Sequence, residues 1–88
     1  MIIDSTAKNQ VNELLTTVAR LADNRIDKLV AMEAIKEAST MDVEDIKEFV
    51  SYLSETGYIS IETIGGPYLY GHLAITEKGL DRLKKTTA

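Results

Sequence analysis

His72 is the only histidine in a chain of 88 residues that has no cysteine. Those two residue types are what a protein most often uses to hold zinc or to activate a nucleophile. One imidazole with no thiolate and no second imidazole beside it makes neither site. No Ser/His/Asp arrangement can be assembled from the residue order, and no acidic pair comes with a supporting pocket. Gly65-Gly66 precedes a run of strand character instead of opening a helix, so it is a turn and not a phosphate-cradling loop. The expectation is a protein that is not an enzyme and uses no metal or cofactor, with His72 a surface or hairpin residue.

What remains is charge. The formal net charge is −4, from 10 Lys/Arg against 14 Asp/Glu, which argues against indiscriminate binding to polyanions. Six acids (Asp42, Glu44, Asp45, Glu48, Glu55 and Glu62) fall in residues 42–62 against the single base Lys47. Residues 63–88 lean the other way, with Lys78, Arg82, Lys84 and Lys85 against Glu77 and Asp81. The start, Met1-Ile2-Ile3-Asp4, lacks the basic and apolar regions of a secretory leader. No apolar run approaches the roughly 18 residues that span a bilayer. Together with the absent cysteines, this predicts a soluble, cytoplasmic protein with no membrane partner. The length fits one domain, with its core over about residues 5–84; 44% apolar and 27% charged residues are ordinary for a folded chain.

The elements that must position these charges follow from periodicity. Ala7, Val11, Leu14, Leu15, Val18, Leu21 and Ala22 recur at helical spacing over Ser5–Ala22, with Ser5 or Asp4 as cap and the polar Ala22-Asp23-Asn24-Arg25 as stop. A second helix is expected over Ile26–Ala38, capped by Asp27. Its residues Leu29, Val30, Ala31, Met32, Ala34, Ile35 and Ala38 make it apolar nearly all round, as in a helix packed on both sides. After the break Ser39-Thr40-Met41, a third helix spans Asp42–Thr56. Asp42 is its N-cap, Met41 and Ile46 form a hydrophobic staple, and Gly57 is the C′ residue. Its buried stripe is Val43, Ile46, Phe49, Val50 and Leu53; Glu44, Asp45, Lys47, Glu48, Ser51, Tyr52 and Glu55 are left outside.

Two strands, Tyr58–Ile64 and Tyr68–Ile75, flank Gly65-Gly66-Pro67, whose glycines supply the positive φ angles of a tight hairpin. Ile59, Ile61, Leu69, Leu73 and Ile75 face the core; Ser60, Glu62, Ile64, Tyr68, Tyr70 and His72 alternate onto the other face. Thr76 caps a last helix in which Leu80 and Leu83 point inward and Lys84 and Lys85 sit at the C-terminal end, where the dipole favours cations. Gly79 weakens that helix unless it permits a close backbone approach. The fold class is mainly α with a small β-hairpin (α+β), in the order α-α-α-β-β-α, with room for a short added strand near Ile2-Ile3 or Asn24–Asp27.

Ile46, Val50 and Leu53, then Glu55-Thr56-Gly57-Tyr58-Ile59, then Leu73-Ala74-Ile75-Thr76-Glu77-Lys78-Gly79 and Leu80-x-x-Leu83 carry a resemblance. Over roughly residues 10–84 the chain resembles the winged helix-turn-helix superfamily, and within it small archaeal and bacterial regulators of the MarR, ArsR and PadR type. The resemblance implies a winged helix with a three-helix core, a two-stranded wing and a C-terminal helix. It also implies a homodimeric transcriptional regulator that lays its third helix in the major groove of double-stranded DNA. The candidate nucleic-acid contacts are Lys28, Lys47, Ser51, Tyr52 and Tyr70; by the resemblance Val11, Leu14, Leu15 and Val18 serve core and dimer together, the alternative being that the core of the monomer takes up all of them.

Two features depart from that pattern. Four of the seven outward residues of the third helix are acids, and the hairpin tip from Gly65 to His72 carries no Lys or Arg. DNA affinity comes largely from neutralising phosphates, which an acidic face opposes. Arg25, Lys28, Lys47 and the Arg82/Lys84/Lys85 group are the bases that would offset it. The alternative is a winged-helix protein-interaction module, whose candidate contacts are Glu44, Glu48, Tyr68, Tyr70 and His72. Tyr68, Tyr70 and His72 share a strand face and together would form an amphipathic patch of interface type.

Overall fold

Helix α1 (Ser5–Leu21) forms where the apolar spacing places it. Val11, Leu14, Leu15, Val18, Ala19 and Ala22 are buried along one side. The computed structural model describes residues 5–64 and 70–86, with side chains over 9–63 and 71–85. The expected strand at Ile2-Ile3, the Asp4 or Ser5 cap, Ala7, the turn Gly65-Gly66-Pro67, and the side chains of Ile64, Tyr68, Leu69 and Tyr70 lie outside the described residues. Helix α1 stops at the polar turn. The Asn24 N–H donates to the Ala19 carbonyl (2.8 Å) and the Asp23 N–H to the Arg20 carbonyl (3.1 Å), the paired bonds of a Schellman end. Asp23 and Asn24 take φ of 54° and 58°, a left-handed conformation that short polar side chains tolerate better than most.

The second helix differs from expectation. Residues 26–29 do not enter it; strand β1 (Val30–Ala31) comes first, and α2 covers only Met32–Ala38. Val30 pairs with Leu73 and Ala31 with His72. An unbroken apolar run has no period that separates a short strand from the helix after it, so the ladder decided the boundary. Nor is α2 packed on both sides. Met32 and Ile35 are buried, while Glu33, Lys36, Glu37 and Ala38 are exposed. Asn24–Asp27 is a turn and not the added strand, and it leaves Ile26 and Leu29 about half exposed, at 49% and 51%.

Helix α3 (Val43–Glu55) buries Ile46, Phe49, Val50 and Leu53. Met41 packs against the same core from the residue before the cap, and Val43 is half-buried. Asp42 has the extended backbone of an N-cap residue, but its side chain makes no capping bond. The far end closes as expected on Gly57, with φ of 83°. The Tyr58 N–H donates to the Leu53 carbonyl (2.9 Å) and the Gly57 N–H to the Ser54 carbonyl (3.1 Å).

Strands β2 (Ile59–Ile64) and β3 (Tyr70–Ile75) pair antiparallel, and β1 joins the free side of β3, giving the sheet order β1-β3-β2. Ile59, Leu73 and Ile75 are buried and Ile61 packs against them, so one sheet face lies on the helical core. Register shifts between Ile61 and Ile64 put Thr63 opposite His72. The extra residue of such a bulge turns both side chains to the outer face, where Thr63 Oγ1 meets His72 Nδ1 at 3.1 Å.

Helix α4 (Glu77–Thr86) is capped by Thr76, whose Oγ1 accepts from the Gly79 N–H (3.1 Å). Gly79 permits the close approach that its presence in a helix suggested. A Cβ there would lie 2.3 Å from the Tyr58 carbonyl oxygen and 2.9 Å from Ile75 Cγ1. Leu80 and Leu83 pack against the core half-buried. The described chain is an α+β fold of four helices and a three-stranded antiparallel sheet, mostly helical.

Candidate functional site

At 100° per residue, Glu44, Glu48, Ser51 and Glu55 line one side of α3. The three acids are exposed and Ser51 is half-buried. Lys47, the one base of the helix, stands 3.8 Å from Glu44 one turn back, so its charge is partly matched within the helix. Tyr52 is half-buried and packs against the core, and its carbonyl accepts from the Thr56 hydroxyl (2.8 Å). The outward surface of α3 is therefore acidic and is built by the helix alone.

The loop before β1 has its own pairs. Lys28 Nζ donates to Asp23 at 2.9 Å, and Arg25 makes two bonds to Asp27, at 3.0 and 2.9 Å. The Lys28 ammonium, by hydrogen bond first and charge second, holds the Asp23 carboxyl below its usual value; Arg25 does the same to Asp27. Arg25 is raised in turn by Asp27. Both bases named for phosphate contact from this loop thus already face carboxylates.

The second charged region collects on α4. Lys78, Arg82 and Lys85 recur at helical spacing and line an open cleft of about 400 Å³ with Tyr58. The Tyr58 ring centroid lies 4.9 Å from Lys78 Nζ and 4.8 Å from Arg82 Cζ, within cation–π range of both. Arg82 donates from Nε to Asn12 Oδ1 (3.0 Å) and from a terminal nitrogen to the Tyr58 hydroxyl (3.1 Å). Lys78 Nζ donates to the Thr56 carbonyl at the end of α3 (2.6 Å), and the Thr76 hydroxyl donates to the Gly57 carbonyl (2.7 Å). Those partners are all uncharged, so they fix the cations without cancelling them.

Compared with known proteins, the chain matches no family model, no curated protein and no solved structure. Its function is therefore argued from its own geometry.

The residues singled out in the sequence fall into separate places. Glu44 and Glu48 share the exposed stripe of α3, and His72 is exposed on β3 beside Thr63. Lys28 and Lys47 are each beside an acid, and Ser51 and Tyr52 are half-buried. Val11, Leu15 and Val18 are 1%, 0% and 0% exposed within the single chain, as is Leu14 at 0%. The core of the single chain takes up this stripe, with α2, α3, α4 and β3 packed against α1. Tyr68 and the Tyr70 side chain lie outside the described residues. Among the described residues no group of three metal-type ligands converges and no helix is long and apolar enough to cross a membrane.

Asn12, Tyr58 and Lys78 were missed as partners of Arg82. The spacing of Lys78, Arg82 and Lys85 was a visible signal, since residues at i, i+4 and i+7 share a helix face. Asn12 carried none, because its role depends on a contact made 70 residues away.

Proposed function

We propose that the chain is a winged-helix domain acting as a protein-interaction module, which offers the acidic outer face of α3 to a basic surface on another protein. The winged-helix reading is supported by the element order α1-β1-α2-α3-β2-β3-α4 and by the sheet order β1-β3-β2, in which a short strand between the first two helices joins the hairpin. The functional reading rests on one observation: the solvent side of α3 carries Glu44, Glu48 and Glu55 exposed, and its only base leans on Glu44. Phosphate contacts need cations on the surface that meets the duplex, and three carboxylates there repel it. Against a Lys/Arg-rich protein surface the same stripe is complementary and raises the association rate.

The test is a backbone-amide NMR titration with a Lys/Arg-rich peptide and, separately, with mixed-sequence duplex DNA at low salt. The peptide should shift signals from Glu44 to Glu55, and Glu44→Gln/Glu48→Gln/Glu55→Gln should abolish those shifts. A peptide that leaves α3 unmoved sinks the module.

A second reading, a DNA-binding transcriptional regulator, is favoured by the position of α3. It is the helix before the hairpin, the groove-reading position in the resembled superfamily, and its outer side is left to solvent. Duplex DNA that shifts α3 signals at low salt and releases them steeply as salt rises decides for that reading.

A further inference from the structure

We propose that the cleft between Tyr58 and α4 is a binding site for a small phosphoryl anion, inorganic phosphate or a phosphomonoester, gripped by Arg82 with Lys78 and Lys85. The site is separate from the acidic face of α3 and does not depend on it.

Among the described residues, three cations and one tyrosine line the cleft and no carboxylate does. In a protein of net charge −4 this is a local inversion. The ion pairs found among the described residues use Arg25, Lys28 and Lys47, none of them here. Like charges gathered in this way repel one another, and an anion between them removes that cost.

Arg82 supplies the geometry. Two of its five donors are spent on Asn12 and the Tyr58 hydroxyl, which hold the planar guanidinium in place from two sides. Three N–H donors remain, and both partners are neutral, so the whole charge stays available. A fixed guanidinium fork fits the oxygens of phosphate or carboxylate, and lysines beside it add point charge. Lys78 is likewise oriented by the Thr56 carbonyl and keeps two donors.

Three cations distinguish between those anions. A carboxylate neutralises one; a phosphate monoester carries between about 1.5 and 2 negative charges at neutral pH and presents three acceptor oxygens. The Tyr58 ring already has both Lys78 and Arg82 within 5 Å, so it is not offered to a nucleobase for stacking. The ligand class is therefore a small phosphoryl compound recognised by its phosphate. That chemistry belongs both to inorganic phosphate and to an organic phosphomonoester, and the cleft volume of about 400 Å³ leaves room for a modest organic group.

The experiment is an amide NMR titration of the full chain with inorganic phosphate, with glycerol phosphate and with acetate, at matched ionic strength and neutral pH. Both phosphates should shift Tyr58, Lys78, Gly79 and Arg82 and leave Glu44–Glu48 in place. Stronger binding of glycerol phosphate names an organic phosphomonoester as the ligand; equal binding names the free ion. Either supports a phosphoryl site. Arg82→Gln should weaken binding about ten-fold or more, the usual loss for a charge-assisted hydrogen bond. Arg82 also bridges α1 and Tyr58, so Lys85→Gln, an exposed change, is the control that preserves the fold and should weaken binding several-fold. Acetate shifting the same signals as strongly as phosphate, or Lys85→Gln and Arg82→Gln both binding as the parent does, overturns the proposal.

Discussion

Helices α3 and α4 both set charge on one side and apolar residues on the other, and they are held in opposite ways. On α3 the apolar side does the work: Ile46, Phe49, Val50 and Leu53 are buried, and the acids opposite them need no partner outside the helix. On α4 the apolar side is slight, with Leu80 and Leu83 only half-buried. Its place is fixed by polar bonds from Thr76, Lys78 and Arg82 to Gly57, Thr56, Tyr58 and Asn12, and by Gly79 against the Tyr58 carbonyl. The acidic surface is thus a property of one helix, and the basic cleft a property of three elements meeting.

That contrast can be broken most strongly at the apolar anchors. Leu53→Ala should cost about 2–5 kcal/mol, the range for emptying a fully buried leucine site. Leu80→Ala, at a half-buried position, should cost about half of that or less. Urea denaturation of both variants checks this. Equal losses would show that α4 is anchored by its apolar side as firmly as α3.

The caps sharpen it at the next scale. Thr76→Ala removes an oxygen that accepts from the Gly79 N–H and a hydroxyl that donates to Gly57, so it should cost about 1–2 kcal/mol. Asp42 makes no side-chain capping bond, which leaves only its charge near the helix start; Asp42→Ala should cost about 0.3–1 kcal/mol. A larger loss from Asp42 than from Thr76, in the same unfolding measurement, would reverse the reading of which helix relies on polar ties.

The smallest effect is expected from the loop that precedes β1. Asp23 and Asp27 have carboxyls held below their ordinary values by Lys28 and Arg25. A carboxylate depressed in the folded state stabilises it above the unfolded value, near 3.9, and that contribution disappears as pH falls through the lower folded value. Asp23→Asn/Asp27→Asn should therefore be slightly less stable than the parent at pH 6, and the gap should close by about pH 2. Both pairs are exposed, so the gap is small, and urea midpoints at the two pH values measure it. A gap that persists at low pH would mean the two carboxylates act by something other than charge.

Much of the fold was legible because its cues are local. The stripe on α1, the Asp23-Asn24 stop, the stripe on α3, Gly57 as its end and Thr76 as a cap each follow from residues within a turn or two of one another. The second helix was misjudged for the complementary reason. Val30 and Ala31 sit in an apolar run that suits either structure, and their choice of strand depends on Leu73 and His72, about forty residues on. The outer face of the hairpin was read from strict alternation, and the register shifts near Thr63 changed which residue stands opposite His72.

The sequence alone determined the acidic stripe of α3. Glu44, Glu48 and Glu55 must share a side once residues 43–55 are helical, and the buried stripe opposite them leaves only one way to face. It likewise determined that Lys78, Arg82 and Lys85 share a side of α4. Only the tertiary structure decided that those cations become a cleft. Gly79 lets α4 close on the Tyr58 backbone, which brings the ring within cation–π range of Lys78 and Arg82, and the packing of α4 on α1 brings Asn12 to Arg82. Periodicity places a side chain on a face of its own element; what that face meets depends on how the elements pack.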